Sequence, residues 1–246
     1  MASPTIVFIS GANQGLGYET AKNLLLSDNY HIIISSRDLS RANQAAATLQ
    51  SLPGNKGTVS TIELDVADDR SVDAAKALIE SKYDRIDILV NNAGVYFLDR
   101  LPARDTLRDS LATNVVGAVS LTEALLPVLR KSKDPRLVFV SSSMGSLQHN
   151  LDPESPHGGT SASEYRITKA ALNMVMVQYH MKLSDVKVLG ADPGFCATEI
   201  GDDSEGFRKM GAMEPYQGAE FIAAVARGDK DDQRGRVHGP KGVVLW

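Results

Sequence analysis

The chain has 246 residues, 43 % of them hydrophobic and 23 % charged, with a formal net charge of -4. That length suits one large α/β domain spanning 1–246 and lies far above the size at which core burial is marginal. The charge balance excludes a polybasic nucleic-acid surface and an acidic disordered tail, so a small-molecule partner is expected and no nucleic acid. A single cysteine, Cys196, excludes an intrachain disulfide and fits a reducing compartment. No basic-then-hydrophobic leader precedes the first apolar segment, and no apolar run reaches the roughly 18 residues that span a bilayer. The expected location is therefore cytoplasmic, with no membrane partner.

In chain order, Thr5–Ile9 is a β-branched and aromatic run suited to a parallel strand buried on both faces. Ser10-Gly11-x-x-x-Gly15-x-Gly17 follows. These glycines let the backbone turn and approach a ligand, and from Gly15 the residues suit a helix whose first-turn amides face an anion. A plain structural turn is the alternative. Residues 31–35 form a second buried strand, and a helix over 40–52 stops at Pro53-Gly54. Thr58–Glu63 is the third strand. Asp68 or Asp69 caps a helix reaching Tyr83, with Val72, Ala75, Leu78 and Ile79 on one face.

Residues 86–90 form the fourth strand, ending in Asn91-Asn92-Ala93-Gly94. A long helical stretch, broken near Asn114, runs to Lys131. Arg136–Val140 is the fifth strand and opens onto Ser141-Ser142-Ser143, after which 144–163 reads as a loop too long for a mere connection. Residues 165–183 form a helix and 186–191 a sixth strand. Pro193-Gly194 opens a loop to about Met213, Pro215–Arg227 is a helix, and the tail to Trp246 supplies a last strand. This alternation predicts a Rossmann-type, doubly wound α/β sheet of about seven mainly parallel strands with helices on both faces. Substrate-site loops fall near 95–105, 144–163 and 194–214. Ligands in such sheets lie beyond the carboxyl ends of the strands, where Ser10-Gly11, Ser36-Arg37, Asp65, Asn91 to Gly94, Ser141 to Ser143 and Pro193-Gly194 are found.

Tyr165-x-x-x-Lys169 sets a phenol and an ammonium on one helical face. A fixed cation favours phenolate over phenol, whose ordinary pKa is about 10, and Tyr165 becomes a candidate general acid or base. An ordinary exposed pair is the alternative. No base is assignable to Cys196 as a nucleophile, and the five histidines lack metal-ligand spacing, so no metal is expected.

Together the glycine turn, Asn91 to Gly94, Asn114, Ser142, Tyr165-x-x-x-Lys169 and Pro193-Gly194-x-x-x-Thr198 stand in the order found in short-chain dehydrogenases/reductases. The resemblance covers essentially the full chain. Residues 142–150, Gly158-Gly159 and 165–173 look most like the sniffer-like carbonyl reductases, and fungal ketoreductases are similar to that branch. The resemblance implies that Tyr165 protonates a carbonyl oxygen as hydride arrives from a nicotinamide. Lys169 would hold the nicotinamide ribose and lower the tyrosine pKa. Ser142 would bond the developing oxyanion, with Ser143 as the alternative in register, and Asn114 would hold a water linking the lysine to solvent. It further implies cofactor contacts from Gly11, Asn13, Gln14, Gly15, Leu16 and Gly17 at the turn and from Asp65 and Val66 at the adenine. Asn91, Ala93 and Gly94 would form the central wall, and Pro193, Gly194 and Thr198 would meet the carboxamide or phosphates.

At the end of the second strand, folds that prefer NAD place an acid on the ribose hydroxyls, whereas a cation there accepts a 2′-phosphate. Ser36 takes the acid's place with Arg37 next, which makes NADP(H) the expected cofactor. The alternative is that Asp38 serves the ribose. Val95, Tyr96, Phe97, Leu98, Met144, Leu147, Phe195, Ile200, Phe207, Met210 and Met213 suit a hydrophobic or aromatic ketone or aldehyde, or else simply pack the loops. The expected function is NADPH-dependent carbonyl reduction. Net alcohol oxidation and a non-catalytic nucleotide sensor or scaffold are the alternatives. The resemblance also implies a homodimer through the helices 115–131 and 165–183, a monomer being the other option. Two departures stand out: the long separation of Ser142 from Tyr165, and Asp192 before Pro193, where an uncharged residue or histidine is more familiar.

Overall fold

The structure is a computed structural model describing residues 3–97, 103–155, 158–201 and 203–246. Leu98, one of the expected substrate-loop residues, lies outside the described residues. The strands are β1 (Thr5–Ile9), β2 (Tyr30–Ser36), β3 (Thr58–Glu63), β4 (Ile88–Asn91), β5 (Arg136–Val140), β6 (Lys187–Ala191), β7 (Val237–Gly239) and β8 (Gly242–Val243). They form one sheet in the order β3-β2-β1-β4-β5-β6-β7-β8. All pairs are parallel except β7 with β8. The tail thus supplies two short strands rather than one, because Gly239 pairs with Gly242 across a two-residue Pro240-Lys241 turn.

The helices are α1 (Gly15–Ser27), α2 (Leu39–Gln50), α3 (Asp69–Lys82), α4 (Ala103–Leu111), α5 (Ala118–Leu129), α6 (Leu147–Leu151), α7 (Ser163–Lys182), α8 (Ser204–Lys209) and α9 (Pro215–Arg227). Successive strand residues point to opposite faces, so each buried strand feeds two cores. Val7, Ile9, Ile32, Ile34 and Val138 pack with Leu24 and Leu25 of α1 and Ile222 of α9. Phe8, Ile33, Leu89 and Phe139 pack on the other side with Leu121 and Leu125 of α5 and Leu172 and Met176 of α7. Of the two cap candidates for α3 it is Asp68 that acts, accepting the Arg70 N–H at 3.0 Å.

The segments read as long loops carry structure of their own. Ser142 and Ser146 cap a 3-10 turn, Ser143–Gly145, and the short α6, and 194–213 contains α8 and a bridge between Cys196 and Met213. Helices this short fall below the length at which hydrophobic period identifies them. The break near Asn114 is a π-helical turn, Ala112–Gly117, that joins α4 to α5. A side chain at Gly117 would put Cβ 2.7 Å from the Val66 carbonyl oxygen, which explains the glycine. The joined run Ala103–Leu129 is long and apolar enough by length and composition to cross a membrane, contrary to the sequence expectation. Its apolarity has another use here: Leu121, Leu125 and Leu129 are 0 % exposed and belong to the core under the sheet.

Candidate active site

After β3 the chain crosses to the far side of β1 to form β4, so the loops leaving β1 and β4 diverge and open a crevice. A cleft of about 380 Å³ lies there. Its floor is a tight joint. Ser10 Oγ accepts the N–H groups of Asn92 and Ala93, both at 3.0 Å, while the Asn92 amide donates to the carbonyls of Ser10 at 2.8 Å and Gly11 at 3.0 Å. Gly11 has a φ of +62°, and a Cβ on Gly17 would stand 2.5 Å from Asn92 Nδ2. The odd glycine spacing is therefore required by packing as well as by conformation.

Asn13, Gln14, Gly15, Leu16 and Gly17 line the cleft where α1 begins. Gln14 caps that helix without a side-chain bond and its first turn holds no acidic residue, so the leading amides have no internal anion. Ser36, Arg37, Asp65 and Val66 line the same cleft. Asp38 also lies on it, but Oδ1 accepts the N–H groups of Ser40 at 2.8 Å and Arg41 at 3.3 Å as the cap of α2. Arg41, which the sequence reading passed over, adds a second exposed guanidinium one turn beyond Arg37.

Ala93 and Gly94 line the cleft, but Asn91 does not: its amide is buried and donates to Thr122 Oγ1 at 2.9 Å, and Asn92 holds the wall instead. The cause is strand parity, which sends adjacent side chains to opposite faces. Val95 and Ile200, expected beside the substrate, and Ser141, expected at a strand end, also line it, and Leu64, Thr113, Val140 and Glu199 do so without having been anticipated. Pro193 and Thr198 are on the cleft. Gly194 sits behind it at a φ of +76°, where a Cβ would meet Met213 Cε at 2.8 Å.

Tyr165 and Lys169, one turn apart on α7, share the cleft with this glycine turn. Lys169 Nζ donates to the Val140 carbonyl at 2.8 Å and stands 5.4 Å from the centre of the Tyr165 ring. Burial pulls the lysine ammonium down to about 8, opposed by the charge of Asp192. The phenol moves up rather than down, first through burial and then through Asp192, Tyr96 and Cys196. The expected lowering by Lys169 is not seen, and desolvation dominates.

The remaining catalytic candidates are close by in the fold but not on the cleft wall. Ser142 is half-buried, and its hydroxyl accepts the Met144 N–H at 3.2 Å. Ser143 is buried, with its N–H on Asp192 Oδ2 at 2.9 Å. Asn114, held by the π-helical turn, donates to Val95 O at 2.9 Å and Thr168 Oγ1 at 3.1 Å and accepts the Val95 N–H at 2.7 Å. Its amide braces the loop after β4 against α7; both amide protons are committed to protein. Burial, then Asp192, pushes the Cys196 thiol up to about 12, which leaves it a poor nucleophile.

A dinucleotide fits this site on three observations: glycine positions where side chains would collide, a helix N-terminus without an internal anion, and cations at one end with a phenol and ammonium at the other. The architecture is that of a dinucleotide-binding α/β protein with a Tyr–Lys pair at its reactive end. The chain belongs to the short-chain dehydrogenases, a family of oxidoreductases: the family model described as short chain dehydrogenase matches residues 5–208. It is 32 % identical over 254 residues to a short-chain dehydrogenase/reductase, tropE, of Talaromyces stipitatus, covering 96 % of each chain. It is 34 % identical to another, eupG, of a Phoma species, covering 93 % of this chain and 92 % of that one. Its fold matches NADPH-bound carbonyl reductase from chicken fatty liver with a TM-score of 0.80 at 24 % identity and full coverage of both. It also matches the putative carbonyl reductase Sniffer of Caenorhabditis elegans, with a TM-score of 0.74 at 26 % identity, again over both whole chains.

Gly17→Ala forces Asn92 away from the Ser10 and Gly11 carbonyls. The expected outcome is a loss of dinucleotide affinity of roughly tenfold or more in a folded protein, from one displaced amide network worth about 1–3 kcal/mol; NADPH fluorescence titration with a parallel melting curve checks it.

Proposed function

We propose that this protein reduces a hydrophobic or aromatic ketone or aldehyde to the alcohol, using NADPH. The observation that carries the reading is the meeting, in one cleft, of the glycine-turn crevice with the Tyr165–Lys169 pair. When bound, the nicotinamide supplies the hydride. Tyr165 then gives its phenolic proton to the carbonyl oxygen as negative charge develops there. Lys169, with Nζ 5.4 Å from the centre of the phenol ring, would hold the nicotinamide ribose, and Ser142, whose hydroxyl accepts the Met144 N–H, would donate its own proton to the same oxygen. The fungal relatives and the carbonyl reductases of similar fold support the same reading.

Arg37 and Arg41 support a 2′-phosphate at the adenosine end, and the engagement of Asp38 as a helix cap disfavours its service to a ribose. The substrate side is aromatic. Tyr96 lies 5.2 Å from Tyr165 edge to face and 6.5 Å from Phe207, which packs at 5.5 Å against Phe195. Such a wall favours a planar apolar carbonyl over a sugar. Exposed Val116, Ile167, Met174 and Met181, on the π-helical turn and α7, offer a face for a homodimer, and action in the cytoplasm on a small molecule completes the reading.

Followed by NADPH oxidation over a panel of ketones, aldehydes and quinones, Tyr165→Phe is expected to lose at least roughly 100-fold in turnover with NADPH affinity kept; wild-type rates in this variant reject the assignment. Arg37→Ala should weaken NADPH by about 10- to 100-fold while sparing NADH, a difference expected of a charge-assisted phosphate contact; equal losses for both count against the 2′-phosphate. Met174→Glu should convert a dimer to a monomer in light scattering, and a wild-type monomer overturns that part of the reading.

A further inference from the structure

Asp192 follows β6 and is 3 % exposed. Its oxygens are divided between two loops: Oδ2 accepts the Ser143 N–H at 2.9 Å and Oδ1 the Gly194 N–H at 2.9 Å, while its own N–H bonds the His238 carbonyl at 2.8 Å. One carboxylate therefore joins the serine turn after β5 to the Pro193-Gly194 turn after β6. Burying an ionised carboxylate costs several kcal/mol unless it is well bonded, so a joint alone is a poor reason for a charge. The charge reaches further. Lys169 on its own helix and Tyr96 after β4 face Tyr165, and Asp192 and Cys196, which follow β6, both disfavour its phenolate. Asp192 acts on the lysine and the thiol as well.

We propose that Asp192 is a positioning residue: it locks the serine turn to the Pro193-Gly194 turn and sets a negative charge beside the strand end that holds Lys169, keeping that ammonium charged. The assignment rests on the carbonyl-reductase reading for its kinetic consequence, but not for its electrostatic one. Support for the electrostatic part comes from strand register: Ala191, the residue before Asp192, pairs with Val140, whose carbonyl accepts Lys169 Nζ at 2.8 Å, and the carboxylate favours the charged form of that lysine.

The test compares Asp192→Asn, which removes the charge, with Asp192→Glu, which restores it. Lysine labelled with carbon-13 at Cε reports the titration of Lys169, assigned by the loss of its signal in Lys169→Arg. The wild-type midpoint near 8 should fall by roughly one unit or more in Asp192→Asn and return toward wild type in Asp192→Glu. In kinetics, Asp192→Asn should lower kcat for reduction roughly tenfold with the NADPH Kd within about threefold, and the alkaline limb for alcohol oxidation should move to lower pH. An unmoved Lys169 midpoint in a folded Asp192→Asn, or unchanged kcat and pH limb, overturns the proposal. If Asp192→Asn does not fold, Asp192→His, uncharged at the titration midpoint, takes its place under the same criteria. A wild type that turns over no carbonyl rejects the reductase reading and leaves the lysine titration to decide the electrostatic role.

Discussion

The chemistry of this protein depends on how the ends of two neighbouring strands are fastened. β1 and β4 run side by side and then part, and the gap is closed by the Ser10 hydroxyl, which accepts two amides, and by the Asn92 amide, which donates to two carbonyls. A side chain at Gly17 would put Cβ 2.5 Å from the Asn92 amide of this joint, and Gly11 holds a left-handed φ of +62° beside it. The crevice therefore keeps bare backbone exactly where a phosphate-bearing ligand needs close approach, and the core beneath it stays closed by Phe8, Leu89 and Phe139.

At the other end of the cleft the balance is electrostatic. Tyr165, Lys169 and Asp192 share a poorly solvated volume in which each charge counts for more than it does in water. Burial opposes ionisation of both the phenol and the lysine, and Asp192 favours the protonated form of each. Tyr96, Phe207 and Phe195 extend that apolar surround outward.

What could be read from the residues alone is what depends on short-range rules. The strands, the three glycines, the helix periodicity and the one-turn spacing of Tyr165 and Lys169 follow from local geometry, and the structure has them together. Asn91 and Asn92 were not separable, because one residue of strand register decides which side chain meets the cleft. α6 and α8 were missed because five- and six-residue helices are held by their contacts rather than by their own period. The direction of the tyrosine's shift was also out of reach, since it depends first on burial and then on a carboxylate delivered from another strand. A core helix and a membrane span have similar composition, and for the run through α5 only the packing of Leu121, Leu125 and Leu129 distinguishes them.

The π-helical turn carrying Asn114 has a consequence for how such a site changes over time. A helix holding one residue more than its ladder needs is a stored insertion: the wider turn of Ala112–Gly117 absorbs that residue, and deleting one residue there would restore regular winding between α4 and α5. The Asn114 brace to Val95 and Thr168 would then be lost in one step. Substitution can tune every other part of this cleft by degrees, but the position of Asn114 is set by counting residues, and it changes only when the chain gains or loses one.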